Sequence, residues 1–579
     1  MILPRWLPWL LCFIVAFAMT GPVWLAEEPS LVGNWEALDL AGSVWAHWWT
    51  SNAIFQGESP FVSSASYFPI GLDPVLQYNL LDAIVNAPWV WLAGPRVGYN
   101  IGTIVALTTT GIGGYALARS SGSQQSGALL CAIIIESSSA VALELYSGRI
   151  SQVMLVFFLL SLAGLIRIIR HAPSMALAIG LGVAAAATAL VYWYFGFALL
   201  LAGSVLLWND RQSITKKHLS LLAVSVLVGL ALTVPFVVDL LQQWDGLPGV
   251  QRSDAHLGAM AVESGKDIAI KNSRWLLWPF INNSDLHGHQ LGLVTVALTF
   301  VAIRWKVAAI KPWLVVAATG WVLALGPVLQ GYSSVTTISL PYGWLQSVVP
   351  TFDRMWWPYR FDVLTVIGFS VAAAHGLDRF LEQRNKAGLW LSAALILTMI
   401  DAPIRSGLIP VSASEAPASN PSLYENLDGP LLTTPVQPTT NIANHLLWTQ
   451  TVHGLPTQNG DGEQMLGHRP EGYTEWLQSN AMLEALTTLH RQGTVNTTIH
   501  PPAIAALKAA GFRYAVVDHT VFPEGKGHHW AAAHGQFFTQ LWGPSLRSVN
   551  GGAVWKIETI DAPRDISAAV GKGRGRRLR

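Results

Sequence analysis

The sequence predicts an all-α polytopic membrane bundle of about eleven transmembrane helices, followed by a small soluble α/β domain. Three observations carry this expectation. Hydrophobic residues make up 51% of the 579-residue chain and charged residues only 12%. Apolar runs of bilayer length recur from the N-terminus to about Pro403. Beyond Pro403 no such run appears, and the composition turns rich in Pro, Thr and Asn. A net charge of +1 offers no basic field for nucleic acid, so no nucleic-acid partner is expected. The basic tail GKGRGRRLR is glycine-rich and reads as a disordered end. Cys12 and Cys131 both lie in apolar runs, which excludes a disulfide framework and a CxxC metal or redox site.

The first element, MILPRWLPWLLCFIVAFAMTGPVWLA, carries Arg5 before an apolar stretch long enough to span. It reads as an uncleaved signal-anchor, with a cleaved signal peptide as the alternative. Further spans centre on residues 97–118, 126–146, 152–170, 175–191, 192–208, 219–241, 288–305, 312–330, 359–378 and 387–403. Segment 79–95 is ambiguous, because it is short and holds Asp82, Asn86 and Pro88. If it spans, Arg167/Arg170, DRQSITKKH, Arg304/Lys306/Lys311 and DRFLEQRNK all fall outside, against the positive-inside rule. Laid flat as a juxtamembrane helix, it returns all four clusters to the inside. The expectation is therefore a cytoplasmic N-terminus and an extracytoplasmic C-terminus.

This orientation puts residues 26–78, 242–287 and 331–358 on the outer face, joined there by the 147–152 corner. The transmembrane domain is expected over 1–403 and the extracytoplasmic domain over 404–579. In the latter, LKAAGFRYAVVDHT reads as a helix, a glycine stop and a strand over Tyr514–Val517, and GGAVWKIE as another strand.

Candidate site residues cluster on the outer face. Glu36 and Asp39 are three apart and share a face if both are helical. A helix over 38–55 would carry Trp45, Trp48, Trp49 and Phe55 as an interfacial apolar surface along the membrane. The plain alternative is a surface helix whose acids face water. Downstream, Gly57, Pro60, Pro69 and Gly71 describe a shaped loop. In YSGRISQ, Arg149 and Gln152 sit where a guanidinium could pair with a phosphate in the headgroup region, or snorkel to ordinary lipid phosphates. In DRMWWPYRFD, Arg354 and Arg360 flank Trp356 and Trp357, as suits a lipid-linked phosphate or an aromatic-belt anchor.

Glu136 near mid-span is either a functional carboxyl or a neutral one hydrogen-bonded among Ser137, Ser138 and Ser139, and Glu144 lies near the outer end. Asp239 and Asp285 lie near outer helix ends. His287 and His289 have metal-compatible spacing without an evident third ligand. No P-loop, GxSxG, HExxH or dinucleotide fingerprint is present, which argues against a nucleotide-driven pump or a serine hydrolase.

These features resemble the GT-C glycosyltransferases, multi-spanning enzymes that take sugars from polyprenyl phosphate carriers. The likeness rests on Asp39 with Glu36, the Trp-rich helix, and the order Gly57, Pro60, Tyr67, Pro69, Gly71. It extends to Gly98–Tyr99–Asn100, the 114–119 stretch GYALAR, the Gly148–Arg149 corner and Pro358–Tyr359–Arg360–Phe361. It covers roughly residues 1–400 and is nearest to uncharacterised bacterial members. The chain departs from better-known branches in lacking a clean acidic pair in the first loop and any WWDYG-like motif. Those departures argue against an oligosaccharyltransferase and leave a divalent metal an open question.

The resemblance implies that Arg149 and Arg360, with Gln152 and Trp357, bind the lipid phosphate and stabilise its departure. It implies Asp39 as the base on the acceptor hydroxyl, Glu36 as the alternate, and inversion at the anomeric carbon. The implied partners are a polyprenyl-phosphate-linked sugar and membrane lipids, in a bacterial cytoplasmic membrane. Two other readings stay open: a transporter or flippase for a lipid-linked saccharide, and a non-enzymatic envelope-assembly protein.

Overall fold

The computed structural model describes residues 4–37, 39–73, 80–171, 173–242, 291–330, 335–349, 352, 355, 357–460, 469–522 and 527–571. The expectations placed on Asp285, His287, His289, Arg354 and Trp356 fall outside these residues, as does the side chain of Asp239. The chain divides into two compact units. One holds Met1–Asn34, Asn100–Asp245 and Val250–Ser414, and the other Trp35–Tyr99, Gly246–Gly249 and Glu415–Arg579.

The first unit is a helical bundle. Among the described residues, six helical stretches of the chain, some of them built from two consecutive helices, are long and apolar enough to cross a membrane: Leu81–Ser120, Gln125–Tyr146, Ile150–Arg170, Lys216–Val238, Pro358–Glu382 and Ala387–Ser406. Shorter apolar helices cover Leu7–Met19, Met175–Val191, Trp193–Asn209, Leu293–Arg304 and Ala308–Ala324. The Pro358–Glu382 helix is the axis of the bundle, with 94% of its apolar window buried, against 11% for Lys216–Val238. The latter turns Leu219, Val226, Leu227 and Leu230 outward, as an apolar solvent permits.

Hydrophobic burial does not drive helices together inside lipid, so close packing of small residues does. A Cβ on Gly368 would meet the Trp313 carbonyl, and one on Gly376 the Leu298 carbonyl. The axial helix is also tied by charge. Asp378 Oδ2 accepts from Ser123 Oγ at 2.6 Å and from the Gln124 N–H at 2.7 Å. Its Oδ1 accepts from the Gly127 N–H at 2.9 Å, so this carboxylate caps the Gln125–Glu136 helix from a distant element.

Three expected spans depart from simple rods. Segment 126–146 is two helices, Gln125–Glu136 and Ser139–Tyr146, because the Ser138 hydroxyl accepts from the Val141 N–H and starts a new helix. Segment 152–170 is a short turn, Ile150–Val153, and a helix, Val156–Arg170. Segment 312–330 stops as a helix at Ala324 and ends in the strand Val328–Gln330. Residues 81–120 run as helix on both sides of Gly94, whose φ of 77° breaks the rod.

The second unit builds an α/β core. A four-stranded sheet sets Leu431–Thr433 parallel to Tyr514–Val517, which pairs antiparallel with Gly552–Lys556 and through it with Arg547–Val549. Thr494–Ile499 pairs antiparallel with Arg564–Ala569.

The helix expected over 38–55 is present as Asp39–Gln56, but its role differs. Trp45, Trp48 and Trp49 do not form an interfacial surface. They are buried in the apolar core that includes Leu446, Leu447 and Tyr473. Gln450 locks this arrangement: its Oε1 accepts from Trp45 Nε1 at 2.8 Å and Ser66 Oγ at 3.0 Å. Only Phe55 stays exposed, stacked on Trp91 with centroids 4.9 Å apart.

Candidate functional site

Four of the six candidate residues, Arg149, Gln152, Trp357 and Arg360, converge in the bundle unit. Local sequence explains the first. Gly148 takes φ 78°, ending the Ser139–Tyr146 helix. The Arg149 N–H then bonds the Glu144 carbonyl at 2.9 Å and the Gly148 N–H the Leu145 carbonyl at 3.0 Å. This glycine-based helix stop folds the chain back over the last turn, bringing the side chains of residues 144 and 149 together. Arg149 Nη1 donates to Glu144 Oε2 at 2.8 Å, with exposures of only 19% and 10%. The same nitrogen lies 3.5 Å from the Tyr359 hydroxyl.

Arg360 comes from the 3-10 turn Pro358–Phe361, which Pro358 pre-organises ahead of the axial helix. Its guanidinium donates through Nη1 to the Tyr192 hydroxyl. The rings of Tyr192, Tyr194, Trp357 and Tyr359 surround it, with centroids 5.2, 5.4, 5.8 and 5.8 Å from its central carbon. Tyr192 and Tyr194 stack at 5.0 Å, and the Tyr194 hydroxyl accepts from the Trp357 N–H at 3.0 Å.

Arg360 Nε is buried without an acceptor. A cavity of about 20 Å³ is lined by Glu144, Gln152, Arg360 and Asp362, together with the apolar Leu155 and Phe195. A buried N–H donor lacking a partner costs about 1–3 kcal/mol, so it is a place where an anion gains binding energy.

Asp39 and Glu36 belong to the other unit. Asp39 opens the Asp39–Gln56 helix and is 9% exposed, whereas Glu36 precedes that helix in a turn and is exposed. The two acids therefore do not share a helix face: the helix starts too late to include Glu36.

The same helix carries a buried polar group that composition alone does not single out. His47 Nδ1 donates to the Ser43 carbonyl at 2.6 Å, since that oxygen can only accept. Its Nε2 lies 3.2 Å from Asn86 Nδ2 and 3.6 Å from Asp82 Oδ2, with the Tyr99 ring edge-on at 5.4 Å. The readable trace was the polar pair Asp82 and Asn86 in an apolar segment.

Glu144, Tyr192, Tyr194 and Tyr359 are further members of the arginine cluster. The signal for two of them is Tyr192–Trp193–Tyr194 at the junction of two apolar runs.

Glu136 is fully buried, but not among Ser137, Ser138 and Ser139 as hydrogen-bond donors to it. The Ser137 hydroxyl bonds the Ile133 carbonyl, and Ser138 caps its own helix. Beside the Glu136 carboxyl lie the Cys12 thiol and the Ala16 main chain, with Gly111 packed against it. Among the described residues no group of three or more His, Cys, Asp or Glu side chains could hold a metal ion.

Neither family models nor curated proteins give a match to this chain. Solved structures do. The chain is similar to the arabinofuranosyltransferase AftD from Mycobacteria, at 13% identity and TM-score 0.53, over 98% of this chain and 42% of that one. It thus spans less than half of that protein's length. Matches also include ArnT from Cupriavidus metallidurans, at 13% identity and TM-score 0.44, over 87% and 94% of the two chains. A third is the Archaeoglobus fulgidus oligosaccharyltransferase AglB, in complex with an inhibitory peptide and a dolichol-phosphate. There the identity is 13% and the TM-score 0.44, over 91% and 70% of the chains. With its apolar helical bundle and its α/β unit, the chain shares its fold with the arabinofuranosyltransferase AftD.

Proposed function

We propose that the protein is a membrane glycosyltransferase that moves a sugar from a polyprenyl-phosphate carrier to an acceptor hydroxyl on the outer face of a bacterial cytoplasmic membrane. The observation that carries this reading is the Arg360 cluster: a guanidinium boxed by aromatic rings, with a buried Nε–H that meets no acceptor, in a residue that lines one cavity with Gln152. Such a site suits a lipid phosphate, because the leaving group departs already ionised and needs positive charge more than a proton. Gln152 adds a neutral polar contact, and Trp357 the apolar surface expected beside an isoprenoid chain.

The acceptor hydroxyl must lose its proton as the new glycosidic bond forms. Asp39, nearly buried at the start of its helix, takes that proton, with Glu36 the alternate. Attack from the face opposite the phosphate inverts the anomeric centre. Eleven spans, an inside N-terminus and an outside C-terminal domain complete the proposal.

The test is release of polyprenyl phosphate from labelled polyprenyl-phosphate sugars by the purified protein. Asp39→Asn is expected to abolish release while the protein inserts and melts as the wild type does. Wild-type activity in that variant would remove Asp39 from the reaction.

Transport of a lipid-linked saccharide is the second reading. It is favoured by one observation, the helix break at Ser137–Ser138 next to the buried carboxyl of Glu136. Movement of a labelled lipid-linked sugar across vesicles without phosphate release would establish it instead.

A further inference from the structure

The Arg149 guanidinium holds an anion of the chain's own. The turn at Gly148 sets Glu144 Oε2 at 2.8 Å from Arg149 Nη1. Glu144 also lines the cavity shared by Gln152 and Arg360. That cavity, about 20 Å³, admits a water-sized group. A phosphate group, with its central phosphorus and four oxygens, needs several times that space. A carboxylate oxygen and a phosphate oxygen present the same acceptor to a guanidinium. Glu144 therefore stands where an oxygen of a bound phosphate would stand.

We propose that Glu144 is a built-in competitor for the anionic ligand. It holds Arg149 while the site is empty and must swing off when a phosphate ester enters. This inference rests on the phosphate-site reading given above and adds to it how strongly, and which, phosphate is held. Arg360, Glu144 and Asp362 line the cavity, and Arg149 joins them through its ion pair with Glu144.

Two cations alone would bind a dianionic phosphate monoester more tightly than a monoanionic phosphodiester, because attraction scales with ligand charge. In the proposed reaction the monoester is the product and the diester the donor. A resident carboxylate offsets that preference, since each added negative charge on the ligand meets a carboxylate close by. Glu144 thus weakens retention of the product more than capture of the donor.

The experiment measures binding to full-length protein in detergent with three probes: farnesyl phosphate, inorganic phosphate and farnesol. Glu144→Gln is expected to tighten farnesyl phosphate by about fivefold to tenfold, the scale of one charge-assisted contact freed. Farnesol binding should not change. Tightening of farnesyl phosphate alone identifies a lipid monoester as the ligand. Tightening of both phosphates shows recognition of the phosphate group by itself.

Unchanged or weaker phosphate binding in Glu144→Gln overturns the proposal. If that variant loses the wild-type melting transition, Glu144→Asp decides, because its carboxylate is one methylene shorter and should tighten binding in the same direction. Arg149→Gln and Arg360→Gln separate the two levels of argument. Wild-type farnesyl phosphate binding in both would sink the phosphate-site reading itself. Weakened binding in both, without tightening in the Glu144 variants, would sink only the competitor role.

Discussion

Replacing Arg360 by lysine keeps the charge and removes the shape. Arginine presents a planar fork whose Nη1 bonds the Tyr192 hydroxyl, whose face lies among four aromatic rings, and whose buried Nε–H meets no acceptor in the protein. Lysine offers a compact ammonium on a flexible stem, which cannot bond Tyr192 and the ligand from fixed positions. The lost directed bond to phosphate costs about 2 kcal/mol and the lost stacking up to about 1 kcal/mol more. At 1.4 kcal/mol per decade, farnesyl phosphate should bind Arg360→Lys about 30- to 140-fold more weakly. Titration of the full-length protein in detergent reads this directly, with farnesol as the uncharged control. Binding within about threefold of wild type would show that charge alone suffices, and the boxed-fork argument would fail.

Three other outcomes are expected. Asp378→Ala strips the acceptor from Ser123 Oγ–H, Gln124 N–H and Gly127 N–H, and should cost about 3 kcal/mol, seen as a lower melting temperature in detergent; an unchanged midpoint refutes its capping role. Gln450→Leu leaves the Trp45 indole N–H and the Ser66 hydroxyl without their acceptor, and should destabilise the α/β unit by about 3 kcal/mol and speed proteolysis within residues 39–56. Acid should loosen the same unit. Burial pushes His534 from 6.5 down to about 4 and His453 down to about 3, so both stay neutral in the fold. Stability is full above pH 6.5 and falls as pH drops, because only the unfolded chain then takes up the protons; His534 alone accounts for about 3 kcal/mol by pH 4. His534→Leu should flatten the fall in tryptophan-monitored unfolding midpoint between pH 7 and pH 4, and an identical fall in both proteins would reject the assignment.

Much of this was legible in one dimension. The apolar runs placed the helices within a few residues, because a bilayer-length hydrophobic stretch has few alternatives. The strand at Tyr514–Val517 and the one in GGAVWKIE followed from alternation and glycine stops. Arg149, Gln152, Trp357 and Arg360 were legible as candidates because charged and amide groups beside aromatic residues at helix ends are uncommon. Their company was not. Tyr192 lies 168 residues from Arg360, and no local pattern states that its hydroxyl meets that guanidinium.

The Trp-rich helix is the clearest divergence. Its tryptophans suit a membrane interface as well as a protein core, since both reward a large apolar body with one N–H to satisfy. Gln450, about four hundred residues further along the chain, supplies the acceptor for Trp45 and so decides for the core. Glu36 shows the same limit in miniature. A spacing of three implies a shared face only if the helix has begun, and it begins at Asp39.

The sequence by itself determined that this is a chain of apolar, bilayer-length helices with an α/β appendage, because hydropathy and periodicity are local properties. It also determined the Arg149 corner, since Gly148 takes the positive φ that other residues resist. Only the tertiary structure decided that residues 35–99 fold as one unit with 415–579, and that Glu144 holds Arg149 while Arg360 keeps an unanswered N–H. Those depend on which distant groups satisfy each buried donor, and hydrogen-bond accounting closes only in three dimensions.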